Sequence, residues 1–539
     1  MNTMRIHLVP SAVCLAVLFA LAAPSPAQDV LGSHEGNTAG GRFGTVARAG
    51  DVDADGVGDW IVGAPADSLG GTGAGCVRVV SGADGAVLHE WLHFPGDALG
   101  SSVSAMGDVD ADGFDDIVAG APGSHGGTTG GYARIWSGGT GQALKTITGA
   151  FPGGGFGRSV VGIGDVSGDN RPDLAVGAPQ EDNATGRVYL LSGASGTLIG
   201  VPLTGQGQGD LFGAALAYDM DVVVSAGDSD GGLVIGATQG GPLGGGYVDL
   251  IDLPTQALIA SVPGDVAGEA FGGAVSVVGD IDGDGIADVA AGSTPPGAAP
   301  RVRLISGADG NGIAGFANGV SGGGLAVCGA GDVDGDGVPD LAVGEPRSDV
   351  NGTDSGTLRI WSGADGALLH VVHGPEPGAA FAASVALIDD LDGDGRRDLA
   401  VGAPEDGAGK VYLLSLRPYD DLGAGLPGGS GIPRLSGLGG ELEGAEQVTL
   451  VLDDARPLAD ATLVAGFATY VDMQQGGLAP MPDLVESGLL TDVLGRVEAS
   501  IDWSGTGASG ATVYYQFRVA DPLAPGGTSC SNTVAGNLD

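Results

Sequence analysis

The sequence predicts an all-β fold: a seven-bladed β-propeller followed by a small C-terminal β-sandwich. Three observations carry that reading. An acidic motif returns at near-constant spacing, its first Asp standing at positions 51, 108, 165, 280, 332 and 390. Each copy is set among four short apolar or alternating segments, as four-stranded blades require. Glycine supplies 107 of 539 residues, which excludes a largely helical chain because each interior Gly costs a helix about 1 kcal/mol. The interval from 165 to 280 holds two repeats, so the count is seven.

The second copy shows the order of elements. A first strand (Ser102 to Met106) leads into the acidic loop, and a second (Asp116 to Gly120) leaves it. The third, Tyr132-Ala133-Arg134-Ile135-Trp136, alternates as a half-buried strand should. A turn cluster, Ser137 to Gly141, precedes the fourth strand, Leu144 to Ile147, and returns at 81–85, 192–196, 306–310 and 362–366. Upstream of the loops lie Phe43-Gly44, Leu99-Gly100, Phe156-Gly157, Phe212-Gly213, Phe271-Gly272 and Phe381-Ala382. The fourth copy, between Phe212 and Ala237, has lost the ordered spacing although Asp221, Asp228 and Asp230 remain, and is expected to bind no metal. The last copy stops after its third strand, Lys410 to Leu414, while Val30 to Gly36 stands where a fourth strand stands elsewhere. The N-terminus is therefore expected to complete the last blade and remove the open edges.

Around this ring the chain divides readily. Residues 1–27 read as a secretory signal, with Arg5, an apolar run from Val9 to Ala23, and Ser25-Pro26-Ala27 before a mature start near Gln28 or Asp29. The propeller is assigned to 29–417, a Gly/Pro-rich linker to 418–434, and the C-terminal sandwich to 435–539. In the last of these, alternation marks Gln447 to Leu452, Ala461 to Phe467, Arg496 to Asp502 and Thr512 to Val519. No later segment of the mature chain is long and apolar enough to span a bilayer. Cys76, Cys328 and Cys530 imply no disulfide framework, although one bridge is open to them. A net charge of −45 argues against nucleic acid or an anionic membrane as partner.

The acidic loops suit calcium. Ca²⁺ takes six to eight oxygens at about 2.3–2.6 Å. Carboxylates at positions 1, 3 and 5 can wrap one ion if the chain turns sharply at a Gly in position 6. Position 7 then offers a carbonyl and an Asp at position 9 closes the cage. Five copies fit: Asp51, Asp53, Asp55 and Asp59; Asp108, Asp110, Asp112 and Asp116; Asp280, Asp282, Asp284 and Asp288; Asp332, Asp334, Asp336 and Asp340; Asp390, Asp392, Asp394 and Asp398. A sixth, with Asp165, Ser167, Asp169 and Asp173 around Asn170, is expected to bind more weakly, since a hydroxyl is a poorer ligand than a carboxylate. An EF-hand is excluded: position 12 is Val62, Ala119, Ala291, Val343 or Val401 in place of Glu.

Phe-Gly, then Asp-x-Asp-x-Asp-Gly-x-x-Asp, then Val-Gly-Ala-Pro resembles the FG-GAP repeats of integrin α-subunit propellers and their bacterial secreted relatives, over about residues 29–417. The resemblance implies a seven-bladed propeller with Ca²⁺ in loops on one face and ligand binding on the other. The chain departs from it in carrying six candidate loops and no integrin-like leg domains. The C-terminal stretch, with Thr491-Asp492, Tyr515-Gln516 and Ser531-Asn532, is similar to a small domain that ends some large exported bacterial repeat proteins.

Other motifs are declined. His89-Glu90-Trp91-Leu92-His93 matches a zinc-protease pattern that needs a helix, but its offset from the Ser81 turn makes it a fourth strand, where residues four apart are about 13 Å apart. Asn183-Ala184-Thr185 and Asn351-Gly352-Thr353 are formal glycosylation sequons in Gly/Asn-rich loops. No nucleophile elbow or phosphate loop is present. The expected function is a non-enzymatic, calcium-stabilised adhesion or ligand-binding module, secreted or at the cell surface, with an extracellular protein or glycan as partner. The alternatives are a polysaccharide lyase or hydrolase on a propeller scaffold, or a structural envelope component. Recognition is expected on the second-to-third-strand loops, Ala66 to Gly75, Gly123 to Gly131, Gln180 to Gly186, Arg347 to Gly356 and Glu405 to Gly409, which vary while the metal loops do not.

Overall fold

In the computed structural model the described residues are 30–416, apart from 124–129, 220–230, 298–299 and 318–325, and, as backbone strands only, segments within 434–538 together with residues 6–7. The expected signal segment and linker lie outside them, except that Ile6 and His7 pair with Ile501 and Ser500 and that Arg434, the last linker residue, opens a strand. One compact unit spans 28–417 and a second gathers the remainder.

The first unit is a seven-bladed propeller of four-stranded antiparallel sheets. Blade one contains Thr45–Gly50, Asp59–Ala64, Cys76–Val80 and Val87–Leu92. Blade two repeats it with Ser102–Gly107, Asp116–Ala121, Tyr132–Trp136 and Ala143–Thr148. The degenerate copy still forms blade four, from Phe212–Asp219 to Ala257–Pro263. In blade seven, Ser384–Leu387, Leu399–Ala403 and Lys410–Leu414 are joined by Val30–Glu35 from the other end of the chain, with Val30 opposite Leu414 and Glu35 opposite Lys410. First strands of neighbouring blades touch all round the ring, including blade seven against blade one.

There is no single central core. Among the described residues seven apolar clusters form, each shared by two neighbouring blades. Second strands are sandwiched on both faces and wholly buried, which is why they read as continuous apolar runs. The aromatic of each Phe-Gly pair fills the space between blades: Phe43, Phe156, Phe212, Phe271 and Phe381 are buried, as is Leu99 in the same position. Burying one such ring stabilises by about 1.5–3 kcal/mol. Its Gly has a different reason. A Cβ added to Gly63 would lie 2.1 Å from the carbonyl oxygen of Gly100 in the next blade, and the same encounter recurs at Gly120 with Gly157 and across the seam at Gly402 with Gly44. Two backbones touch there, so the Gly of Val-Gly-Ala-Pro tolerates no larger residue, while its Phe-Gly partner is Ala382 in blade seven, against Gly344.

Beyond residue 433 the described strands pair antiparallel. One sheet runs Arg434–Leu438, Gln447–Asp453, Val497–Asp502, and another centres on Asp460–Gly466 and Ala511–Ala520. The side chains whose packing would make these a sandwich lie outside the described residues.

The segment His89 to Leu92 lies within the fourth strand of blade one. His89 Nε2 contacts the Gly138 carbonyl oxygen at 2.5 Å, whereas His93 Nδ1 meets Asp97 Oδ2 at 2.6 Å. The two imidazoles serve different contacts, as strand geometry requires.

Candidate metal centres

Each acidic loop joins the first and second strands of its blade, so all lie at one end of the ring. Antiparallel pairing puts the third-to-fourth-strand turns at the same end and the other loops at the opposite end. The loop folds on itself through its carboxylates. In blade one, Asp51 Oδ1 accepts the N–H of Asp55 at 3.2 Å and its Oδ2 that of Gly56 at 3.1 Å. Asp53 accepts from Asp55, and Asp55 from Val57. The same cascade recurs in blades two, five, six and seven. The backbone thus holds the carboxylates together against their mutual repulsion.

Two positions in each loop take left-handed backbone. Position 6 does so at Gly56 (φ 90°) and, in the third copy, at Asn170 (φ 61°). Position 4 does so as well, a requirement the motif did not announce. It is Gly in the later copies but Ala54 (φ 59°) and Ala111 (φ 60°) in the first two, where an L-residue costs roughly 1–2 kcal/mol.

The Asp at position 9 is different from the others. Asp59, Asp116, Asp173, Asp288, Asp340 and Asp398 are fully buried. Asp59 Oδ2 accepts the N–H of Val52 at 2.8 Å, and its Oδ1 that of Gly82, in the turn after the third strand, at 3.0 Å. Gly138, Gly193, Gly307 and Gly363 donate likewise to Asp116, Asp173, Asp288 and Asp340. This Asp therefore brackets loop to turn as well as facing the other carboxylates. The repeated Ser-Gly turn was its visible trace in the sequence. Burial pushes the Asp59, Asp116 and Asp340 carboxyls up to about 6, and Asp398 to about 7, with the backbone donors pulling the other way. Asp173 and Asp288 are raised for the same reason.

In blade seven the bracket is incomplete. Leu416 stands where Gly82 stands in blade one, and Asp398 Oδ1 is buried with no hydrogen-bond partner.

One oxygen from each of three carboxylates lies within 4.8 Å of the others in these sets: Asp51, Asp53 and Asp59; Asp108, Asp110 and Asp116; Asp165, Asp169 and Asp173; Asp280, Asp282 and Asp288; Asp332, Asp334 and Asp336. These are hard, anionic oxygens on a preset loop, and with the orphaned Asp398 oxygen they fit a hard divalent cation. Asp55, Asp112 and Asp284 stand outside the triads of their own loops, as does Asp340. Ser167 is oriented as a donor, its hydroxyl 3.3 Å from Asp173 Oδ1. Asp221, Asp228 and Asp230 lie outside the described residues.

The opposite end is built from the variable loops. Phe94 and Phe151 occupy the same place in consecutive Phe-Pro-Gly turns and are 57% and 50% exposed. Leu69 and Leu243 are exposed on second-to-third-strand loops. Asp182, Asn183 and Ala184 are left-handed in succession. The Arg347–Gly356 loop, expected to be a free recognition element, is only partly so. Ser348, Ser355 and Gly356 are buried, Ser355 Oγ donates to the Ser348 carbonyl at 3.1 Å, and Gly356 packs on Phe381. Its exposed residues are Arg347, Asp349, Val350 and Thr353.

Comparison with known proteins agrees with this architecture. The FG-GAP repeat model matches residues 99–136, 156–191, 323–361 and 381–414. Integrin alpha-5 of Xenopus laevis is 30% identical over 174 residues, covering 30% of this chain and 16% of that protein. Integrin alpha-6 of Gallus gallus is 35% identical over 143 residues, covering 24% and 13%. Integrin alpha-2 of Mus musculus is 34% identical over 166 residues, covering 28% and 14%. The likeness thus spans a small part of each relative. Among the described residues no helix is long and apolar enough to cross a membrane.

Proposed function

Because the chain carries FG-GAP repeats on a seven-bladed propeller, we propose that it is an exported, calcium-binding, non-enzymatic ligand-binding or adhesion module acting at or outside the cell surface. The observation that carries this reading is the convergence of carboxylates in successive loops at one end of the ring. Calcium bound there supplies positive charge that lets the carboxylates pack without repulsion. The chain's own contribution is to preset those carboxylates through backbone N–H groups and to tie each loop to its blade through the ninth Asp.

The two ends then divide the work. Metal loops that are short and alike offer little selectivity, whereas varied loops on a rigid scaffold are where recognition usually sits. Exposed Phe94 and Phe151, with exposed Leu69 and Leu243 on second-to-third-strand loops, give the opposite end apolar surface for a protein or glycan partner.

An array of extracellular proteins and glycans, probed with and without calcium, tests this. Binding is expected in calcium and is expected to fall at least tenfold in the Phe94→Ser/Phe151→Ser variant, whose melting temperature stays close to that of the parent because both rings are exposed. Binding that ignores both the two rings and the metal would overturn the reading.

A further inference from the structure

The metal loops touch one another around the ring. Asp115, at position 8 of loop two, accepts the N–H of Asp51, position 1 of loop one, through Oδ2 at 3.2 Å. Arg171 of loop three donates through Nη1 to the carbonyl of Val109 in loop two at 2.7 Å. Arg396 of loop seven donates to the carbonyl of Val333 in loop six. At the seam Arg48 grips Asp389 with two hydrogen bonds, Nε to Oδ1 at 3.0 Å and Nη2 to Oδ2 at 2.9 Å. Those two residues stand three before Asp51 and one before Asp390.

The packing is reciprocal. A Cβ on the residue preceding loop one (Gly50), two (Gly107) or five (Gly279) would press on position 8 of the next loop, occupied by Asp115, Pro172 and Pro339 respectively. At the seam the sizes are exchanged. Asp389 precedes loop seven, and position 8 of loop one is Gly58, whose added Cβ would collide with the Asp389 carboxylate. A second path runs beneath. Val52 of loop one packs against Gly138 of blade two, and Leu391 of loop seven against Gly82 of blade one. Each of those glycines donates to the buried ninth Asp of its own loop, Asp116 or Asp59, at 3.0 Å. A loop that shifts therefore moves a candidate ligand in the next blade.

Blade four alone lacks the motif, and there Tyr218 stands opposite Gly164. The remaining six loops follow one another without interruption through blades five, six, seven, one, two and three. We propose that they form one coupled calcium array with the closure seam at its middle, positioned by Arg48, Asp389, Asp115, Arg171 and Arg396. This rests on the calcium reading of the preceding section. An ion that orders one loop lowers the ordering cost left for its neighbour, and couplings of this kind amount to about 5- to 100-fold in affinity.

Calcium isotherms of the chelator-treated full chain test the proposal, because Arg171→Met and Arg48→Met remove no carboxylate. Each variant is expected to bind as many ions as the parent, with half-saturation at about fivefold or more higher free calcium and a shallower isotherm. Arg171→Lys is expected to recover part of the loss. Paired ligand variants add a readout that simple destabilisation does not move. Asp53→Asn with Asp110→Asn, in adjacent loops, should be non-additive in affinity for the remaining ions, while Asp53→Asn with Asp282→Asn should be additive. If Arg48→Met fails to fold, Arg171→Met, away from the seam, decides. A parent that binds calcium, with superimposable Arg171→Met isotherms and additive pairs, overturns the coupling alone. A parent that binds no calcium overturns the metal reading and the array with it.

Discussion

Asp398 differs from its counterparts by one hydrogen bond, and the difference has measurable consequences. Its Oδ1 is buried without the backbone N–H donor that Gly82 gives Asp59 in blade one. A buried polar atom left unsatisfied costs about 1–3 kcal/mol, and calcium is the natural partner for it. Asp398→Asn is expected to raise the melting temperature in chelator, to lower it in millimolar calcium, and to remove one ion in native mass spectrometry; one sign of change in both buffers would refute that account. Asp249 offers a pH test away from the metal loops. It lies in the third strand of blade four where blades one, two, five and six have Arg78, Arg134, Arg303 and Arg359. Burial pushes its carboxyl up to about 6, against a hydrogen bond from Ser261 Oγ at 2.5 Å and with Asp210 nearby adding to the rise. The folded state therefore binds this proton more tightly than the unfolded chain. The stabilisation it contributes is present below the ordinary carboxylate range and is lost as pH rises through about 6. Asp249→Asn, compared with the parent in the same buffers, is expected to gain stability at pH 7.5 relative to pH 4, and equal differences at both would count against it. The sequence marked Asp398 only as one loop carboxylate among many and Asp249 not at all, because what matters is an absent turn donor in one case and a substituted neighbour in the other.

Strands were the most legible level. Four segments per repeat, the acidic loop between the first two, and Val30 to Gly36 as the missing fourth strand could all be read from spacing, because period-two alternation and turn residues are local signals. The Val30–Glu35 strand pairs along its length with Lys410–Leu414 and carries Leu31 onto the seam cluster of Phe43, Trp60 and Val411. Deleting residues 30–35 removes those ladder bonds and opens an edge. Loss of stability of several kcal/mol, with concentration-dependent aggregation by light scattering, is the expected result; a truncated chain as stable and monomeric as the parent would contradict it. The inter-loop contacts were illegible for a reason of the same kind. Arg48 and Asp389 are far apart in the chain, and nothing local marks them as partners.

At the scale of the whole molecule, the arrangement depends on relations among repeats more than on any one of them. The candidate ligands were readable because each loop carries its own, whereas the ninth Asp's second role, the reciprocal Gly58 and Asp389, and the buried serines within the Arg347–Gly356 loop appear only in the folded chain. The seam has a further consequence, for the order of events in biosynthesis. Val30 is made ahead of the rest of the ring, and Leu414, its partner, emerges only at the ring's far end. The opening strand must wait, unpaired, while six complete blades are threaded out behind it. Contacts of such separation are slow to form, so the ring cannot be finished by any prematurely terminated chain. A circular permutant that begins near Thr45 and carries Val30–Glu35 after Leu414 would turn that wait into a local hairpin, while leaving every blade as it is.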